Sequence, residues 1–548
     1  MEEIKIGDLT IKPSLSQDVK EIHPAIGVVD DTAYVGVWVP CQVIDKDGNI
    51  AHKDLLFLVT DRKEVILAND EELRKRDWKL AYKPVKFQNR WPLQCVKEYL
   101  NGTNTVDPCQ MFYKLVERWK AYVDFQDERE YLYHALWDIG SYLHHLFNAY
   151  PYPYIGGVKR CGKTKTLTVH SCLAFNAFFS NNMCTSSIYR LIQNARGTLV
   201  IDENEKLSQP DRALEFRSLL LSGYKKGAKV YRVEKNRREE LHPEAFEIYS
   251  PKVLANIQGL EDVLEDRCKN VYLKRSRNKD ILNRDVDENN PQWSELRNEL
   301  YVFYLTYWKE ILEIYHALSE PSEPSVLVSL AGGASENVEG MELLVGRELE
   351  LWKGVFAIAI FLDKKLHLTK YTDTLHSPRS LTKQMLELAI DGAKQRRIEN
   401  MTETGEAILI HILLQLVNDD GYLKVKTIRD EMAKQFDEEQ KWLSTRWIGN
   451  ALRRFGFKEK RRVGTGYEYF FSVSEVQDLA KRMEIDAPPF NLDNILTIAT
   501  IPENQQGKCG YCSIEGPMNR EAVLHNKDRV ALCDECAWKI EKQMQKEG

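Results

Sequence analysis

The sequence lacks any apolar run long enough to span a bilayer, and its opening residues lack the basic, apolar, small-residue pattern of a secretory signal. Neither a membrane protein nor an exported one is expected, and a cytoplasmic setting is. A disulfide framework is missing too: of 11 cysteines in 548 residues, seven are scattered singly, as suits reduced thiols. There is no excess of positive charge, the formal net charge being −6. Affinity for nucleic acid follows local rather than total charge, so this balance leaves room for a basic patch. A chain of this length is expected to hold about two to four domains.

What is present begins with Gly157-Val-Lys-Arg-Cys-Gly162-Lys163-Thr164, which fits G-x-x-x-x-G-K-[ST]. A short buried strand, Tyr152–Ile155, is expected before it and a helix, Lys165 to Phe178, after it. Gly157 and Gly162 let backbone N–H groups turn toward phosphates, and the helix N-terminus favours an anion. Lys163 would reach the β- and γ-phosphates of ATP, and Thr164 would ligate Mg²⁺. Thr198-Leu-Val-Ile-Asp202-Glu203 is an apolar strand ending in two carboxylates. Asp202 would hold the Mg²⁺ hydration shell and Glu203 would polarise the attacking water. The plain alternatives are a glycine loop before a helix and a strand followed by an acidic turn.

Two further elements follow in order. Ser250 to Asn256 reads as another apolar strand, with Asn256 able to bond the γ-phosphate or the lytic water. Leu264-Glu-Asp266-Arg267 offers an arginine able to cross a subunit boundary onto a neighbour's nucleotide. A strand-end turn and a surface ion pair with Asp266 are the simpler readings of these two. Between the acidic pair and Asn256 lies a basic stretch, Gly223 to Arg238. In it Lys225, Lys226, Lys229 and Arg232 would neutralise phosphates of a DNA strand, with Tyr224 or Tyr231 stacking on bases. The alternative is a solvated loop.

The ordered set Lys163, Asp202, Glu203, Asn256 and Arg267 resembles the AAA+ ATPases, over roughly residues 130 to 400. The basic stretch looks like the channel hairpin of ring helicases in that class, the minichromosome maintenance and superfamily 3 viral helicases. Gly259 to Arg267 and Gly346-Arg347-Glu-Leu-Glu-Leu-Trp352 look like their relatives on mobile elements. The resemblance implies a homo-oligomeric ring, a hexamer, with ATP between subunits and Arg267 acting in trans. It also implies that Arg347 is a sensor residue of the lid, from either side. The implied activity is an ATP-dependent DNA helicase in replication or its initiation. An AAA+ DNA-binding switch that does not unwind, or a protein-remodelling ATPase, stays open.

The expected fold is multidomain α/β. A β-rich domain (1–106) and a helical connector (107–150) precede the ATPase core (151–290) and a helical lid (291–400). A winged helix (401–475), a linker (487–506) and a zinc-binding module (507–548) follow. In the winged helix, Arg446, Arg453 and Arg454 on the third helix and a basic wing, Lys460 to Arg462, would face duplex DNA; protein contact is the alternative. Cys509, Cys512, Cys533 and Cys536 have C-x₂-C-x₂₀-C-x₂-C spacing, which suits tetrahedral Zn²⁺, structural rather than catalytic. Whether that module meets DNA or protein is open.

Overall fold

Residues 24–67, rich in β-branched and aromatic side chains, fold as an antiparallel meander. Its strands are β1 (Ile26–Val29), β2 (Thr32–Ile44), β3 (Ile50–Thr60) and β4 (Val65–Leu67), and Ile44 opposite Ile50 fixes the long hairpin. The computed structural model describes residues 4–6, 9–11, 19–44, 49–158, 160–179, 185–202, 210–235, 241–255, 262–319, 341–367, 380–403, 405–434, 443–464, 466–482, 495–508, 515–524 and 529–532. The chain is mixed α/β and divides into two compact units, 1–393 and 394–548. No described helix is long and apolar enough to cross a membrane.

In the first unit, α1 (Pro108–Tyr122) starts where Asp107 accepts from the N–H groups of Cys109 and Gln110, with proline at its first turn. Helix α2 (Glu128–Ser141) is buried on nearly every side, as a helix inside a core must be. Then comes the central sheet. Its strands are β5 (Tyr152–Gly157), β6 (Phe178–Phe179), β7 (Leu199–Ile201), β10 (Lys252–Ala255) and β11 (Cys268–Leu273). They lie in the order β6-β7-β10-β5-β11, every pair parallel. Burial on both faces explains their near-continuous apolar sequences.

Helix α3 (Lys163–Leu173) follows β5, ending sooner than the expected Phe178. Asn176, left-handed at φ 42°, turns the chain so that Phe178 enters β6 instead. Helices α4 (Thr185–Ala195) and α5 (Pro210–Ser222) flank β7, and a two-stranded ribbon, β8 (Lys229–Lys235) with β9 (Leu241–Glu247), precedes β10. Helices α6 (Pro291–Ala317) and α7 (Arg347–His367) close the unit.

The stretches read as β domain, connector, core and lid share one apolar core. Trp91 stacks on Tyr301 of α6 with ring centroids 5.0 Å apart, Tyr304 donates to the Gly27 carbonyl, and Arg196 donates to that of Ile26. The boundary between the two units falls within α8 (Leu381–Glu403).

The second unit holds α9 (Gly405–Leu416), β12 (Gly421–Lys424), α10 (Val425–Ala433), α11 (Thr445–Arg454), β13 (Lys460–Val463), β14 (Gly466–Phe471) and α12 (Val473–Arg482). The strands form one antiparallel sheet, β12-β14-β13, over a small core that includes Leu409, Ile428, Ile448 and Phe471. A second antiparallel sheet orders β15 (Ile495–Lys508), β16 (Glu515–Leu524) and β17 (Arg529–Leu532). Strand β15 begins inside the stretch expected as a linker, because it finds a pairing partner in β16.

Candidate functional site

The Gly157–Thr164 loop leaves the carboxyl end of β5, between β10 and β11, where an open parallel sheet changes winding direction and offers a crevice. Its backbone needs glycine. Gly157 has φ +137°, and a Cβ there would lie 2.5 Å from the Leu273 carbonyl oxygen and 2.8 Å from Cys161 Sγ. Gly162 has open space around it but φ +103°, and Arg160 is also left-handed at 64°. Gly162 caps α3 and, as glycine, brings no side chain to its opening turn.

Lys163 is 6% exposed, and its ammonium donates to the carbonyls of Gly157 (2.8 Å) and Val158 (3.1 Å). Thr164 is exposed, and its hydroxyl donates to Asp202 Oδ2 at 2.9 Å. Strand β10 separates β5 from β7, so this bond joins the first turn of the helix after β5 to the residue that follows β7, beyond the ends of two non-adjacent strands. The other oxygen, Asp202 Oδ1, is buried without a hydrogen-bond partner among the described residues. A hydroxyl and a bare carboxylate oxygen side by side are the donor set Mg²⁺ takes while keeping several waters, so these residues fit that ion. Glu203 and Asn256, which follow Asp202 and β10 directly, lie outside the described residues.

Behind the loop, α3 is tied to α2 by a chain of buried groups. His170 Nδ1 donates to Asp138 Oδ1 at 2.7 Å, and His170 Nε2 lies 2.9 Å from His134 Nδ1. Trp119 Nε1 donates to Asp138 Oδ2 at 3.0 Å. The connectivity makes His134 Nδ1 the donor to His170. His134 Nε2 then has no partner among the described residues. Burial, and next the neighbouring His170, hold the His134 pKa well below its usual value; burial raises that of Asp138. Nothing in the sequence motifs signalled this anchor.

Arg267 and Arg347 lie elsewhere. Arg267 immediately precedes β11, whose first residue pairs with Tyr152 at the start of β5. It is therefore at the amino-terminal edge of the sheet, five residues along β5 from Gly157, or about 17 Å at a strand's usual rise. Its Nε donates to the Leu221 carbonyl at 2.9 Å, and its guanidinium lies 5.4 Å from the Tyr224 ring centroid. Arg347 reaches the same ring at 5.8 Å and pairs with Asp266 at 3.2 Å. The two arginines share one patch, remote from their own chain's phosphate loop.

The ribbon β8–β9 rises from that same edge. Lys225 and Lys226 precede β8 and have partners within the unit: Lys225 pairs with Glu350 at 2.7 Å, and Lys226 donates to the His145 carbonyl at 2.8 Å. Lys229 is exposed on β8, and Arg232 lies over Tyr189, 5.6 Å from its centroid. Tyr224 is buried, so of the two tyrosines Tyr231, 67% exposed, is the one able to stack on a base. Val233 and Leu241 are exposed beside it.

In the second unit a groove of about 940 Å³ opens between α10, α11 and the β13–β14 hairpin. Lys424, Lys426, Arg429, Arg446, Arg453 and Lys460 line it. Arg454 is exposed on α11 but is not among its lining residues. Arg461 pairs with Glu468 at 2.8 Å and lies 3.9 Å from the Tyr422 ring centroid. Cys509, Cys512, Cys533 and Cys536 lie outside the described residues. The strands beside them are described: Lys508 pairs with Glu515, and β17 runs antiparallel to β16, so its carboxyl end points toward that same end of the sheet.

No protein-family profile matches this chain, and no curated protein sequence matches it. The functional reading rests on the geometry and on the motifs.

Proposed function

We propose that this chain is an ATP hydrolase of the AAA+ class that acts on DNA as a ring helicase or translocase. The observation that carries the reading is the bond from Thr164 to Asp202, between the end of the glycine loop and the acidic strand. Lys163 turns from the loop carbonyls to the β- and γ-phosphates. Thr164 and Asp202 would hold Mg²⁺, which would neutralise charge on the transferred group. Glu203 orients water, and Asn256 senses the γ-phosphate.

Arg267 is too far from its own loop to serve it, which favours a finger acting on a neighbour. Arg347, sharing its patch, would then act from the same side. Tyr231, Lys229 and Arg232 of the ribbon would track a single strand, and the basic groove of the second unit, read as a winged helix, would hold a duplex. Cys509, Cys512, Cys533 and Cys536 would hold one structural Zn²⁺. A second reading, a DNA-binding AAA+ switch that does not unwind, is favoured by one observation: Lys225 and Lys226, half of the expected strand-gripping cations, have partners within the unit.

The test is hydrolysis by the full chain with and without single-stranded DNA, alongside strand displacement on a fork. Lys163→Ala is expected to lose nucleotide binding, and Glu203→Gln to bind Mg²⁺–ATP without turning it over. Steady hydrolysis by both variants overturns the ATPase reading; DNA-stimulated hydrolysis without displacement selects the switch.

A further inference from the structure

Two cationic residues expected at the nucleotide meet at one side chain, Tyr224, which lies at the root of the ribbon expected on DNA. We propose that Tyr224 is the positioning residue that couples the ribbon to the Arg267–Arg347 pair, so that movement of the ribbon on DNA repositions the arginines presented to a neighbouring subunit. This rests on the ATPase reading above.

Tyr224 is 7% exposed, and both guanidinium carbons lie within 6 Å of its ring centroid, 5.4 Å for Arg267 and 5.8 Å for Arg347. Two like charges gather there because the π-face attracts each and because Asp266 pairs with Arg347 from outside. The residue after Tyr224 is equally committed: Lys225 pairs with Glu350, three residues past Arg347 on α7. Tyr224 and Lys225 therefore hold both the arginines and the helix that carries one of them.

The other half of the link is the ribbon's root. The buried Lys252, first residue of β10, donates to the carbonyls of Gly223 (3.0 Å), Ile248 (3.1 Å) and Ser250 (3.0 Å). Gly223 precedes the ribbon and Ile248 follows it, so one ammonium clasps both legs. Gly223 cannot be larger: a Cβ would lie 2.7 Å from the Lys252 nitrogen and from two carbonyl oxygens. A displaced ribbon thus carries its root along, and Tyr224 is the next residue after Gly223. The Tyr224 carbonyl is in turn held by the Tyr150 N–H at 2.9 Å, just before β5.

The experiment compares wild type, Tyr224→Leu, Tyr224→Phe and Asp266→Asn in the full chain, with a single-stranded oligonucleotide as probe. Tyr224→Leu is expected to bind ATP analogue and oligonucleotide as wild type does. Its ratio of DNA-stimulated to basal hydrolysis should fall about fivefold or more, the lower end of ordinary coupling between sites. Tyr224→Phe keeps the π-face and should restore the ratio. Asp266→Asn changes an exposed residue and loosens Arg347 without disturbing the core, so it should lower the ratio even if Tyr224→Leu does not fold. An unchanged ratio in folded Tyr224→Leu, a Tyr224→Phe that fails equally, or, where Tyr224→Leu does not fold, an unchanged ratio in Asp266→Asn overturns the proposal. A wild type without DNA-stimulated hydrolysis, or a Lys163→Ala variant that hydrolyses normally, overturns the parent reading and this one together.

Discussion

Gly157 carries two constraints at once, a left-handed φ and a carbonyl 2.5 Å from where a Cβ would sit. We predict that Gly157→Ala costs about 1–3 kcal/mol and abolishes binding of a fluorescent ATP analogue. Denaturant unfolding and a binding titration read the two effects, and unchanged nucleotide affinity would separate this loop from phosphate binding. The buried histidines set a second prediction. Burial, the largest cause in each case, holds His23, His134 and His145 well below their usual pKa, and His144 at about 3. The unfolded chain takes up protons near pH 6.5 that the folded chain refuses. Stability is therefore full above that value and falls as pH drops through it toward the folded values. Each histidine contributes up to about 1.4 kcal/mol per pH unit in that window. Asp138 and Glu130, both raised by burial, work in the opposite sense nearer the carboxylate range, and two carboxyls do not offset four imidazoles. Urea midpoints at pH 7.5 and 5.5 should differ clearly; equal midpoints would refute the assignment.

At the scale of elements, the ribbon separates cations that look alike in sequence. Lys229→Ala should make single-strand binding shallower in salt by roughly 0.7 in log–log slope. Lys226→Ala should leave that slope alone, because its ammonium serves the His145 carbonyl. Equal slope changes in binding titrations would mean that Lys226 also reaches DNA. The sequence could not separate them, since the partners of Lys225 and Lys226 lie 125 and 81 residues away. What was legible was local. The glycine spacing foretold the loop, and the apolar runs foretold β5, β7 and β10. The meeting of Thr164 with Asp202 followed from reading both motifs as halves of one site. The Asp138–His170–His134 chain was illegible because a histidine inside an apolar stretch carries no label for its partner. The burial of Tyr224 was hidden likewise, its ring being covered by residues from α7 and the β11 edge.

At the scale of the molecule, one large core runs through stretches that the sequence divided among several domains, because aromatic contacts such as Trp91 on Tyr301 knit distant stretches together, while a smaller cluster around Tyr34, Leu58 and Trp78 stays with the β-rich stretch. The terminal sheet is a different case. We predict one Zn²⁺ per chain, bound by deprotonated thiolates, so that chelation or acid releases the metal and unfolds 495–548 while leaving the first unit's thermal transition in place. Metal analysis that finds no zinc, or a single transition lost as a whole on chelation, would rule this out. The place of Arg267 has one more consequence. If Arg267, held about 17 Å from its own loop at the amino-terminal end of the sheet, serves a neighbour's nucleotide, every chain would be a donor at one site and a recipient at another. On the reading proposed above, dilution becomes an inhibitor: turnover per chain rises steeply with concentration and levels off only when neighbours are always present. The cell could then set this activity by abundance alone, with no change to any residue.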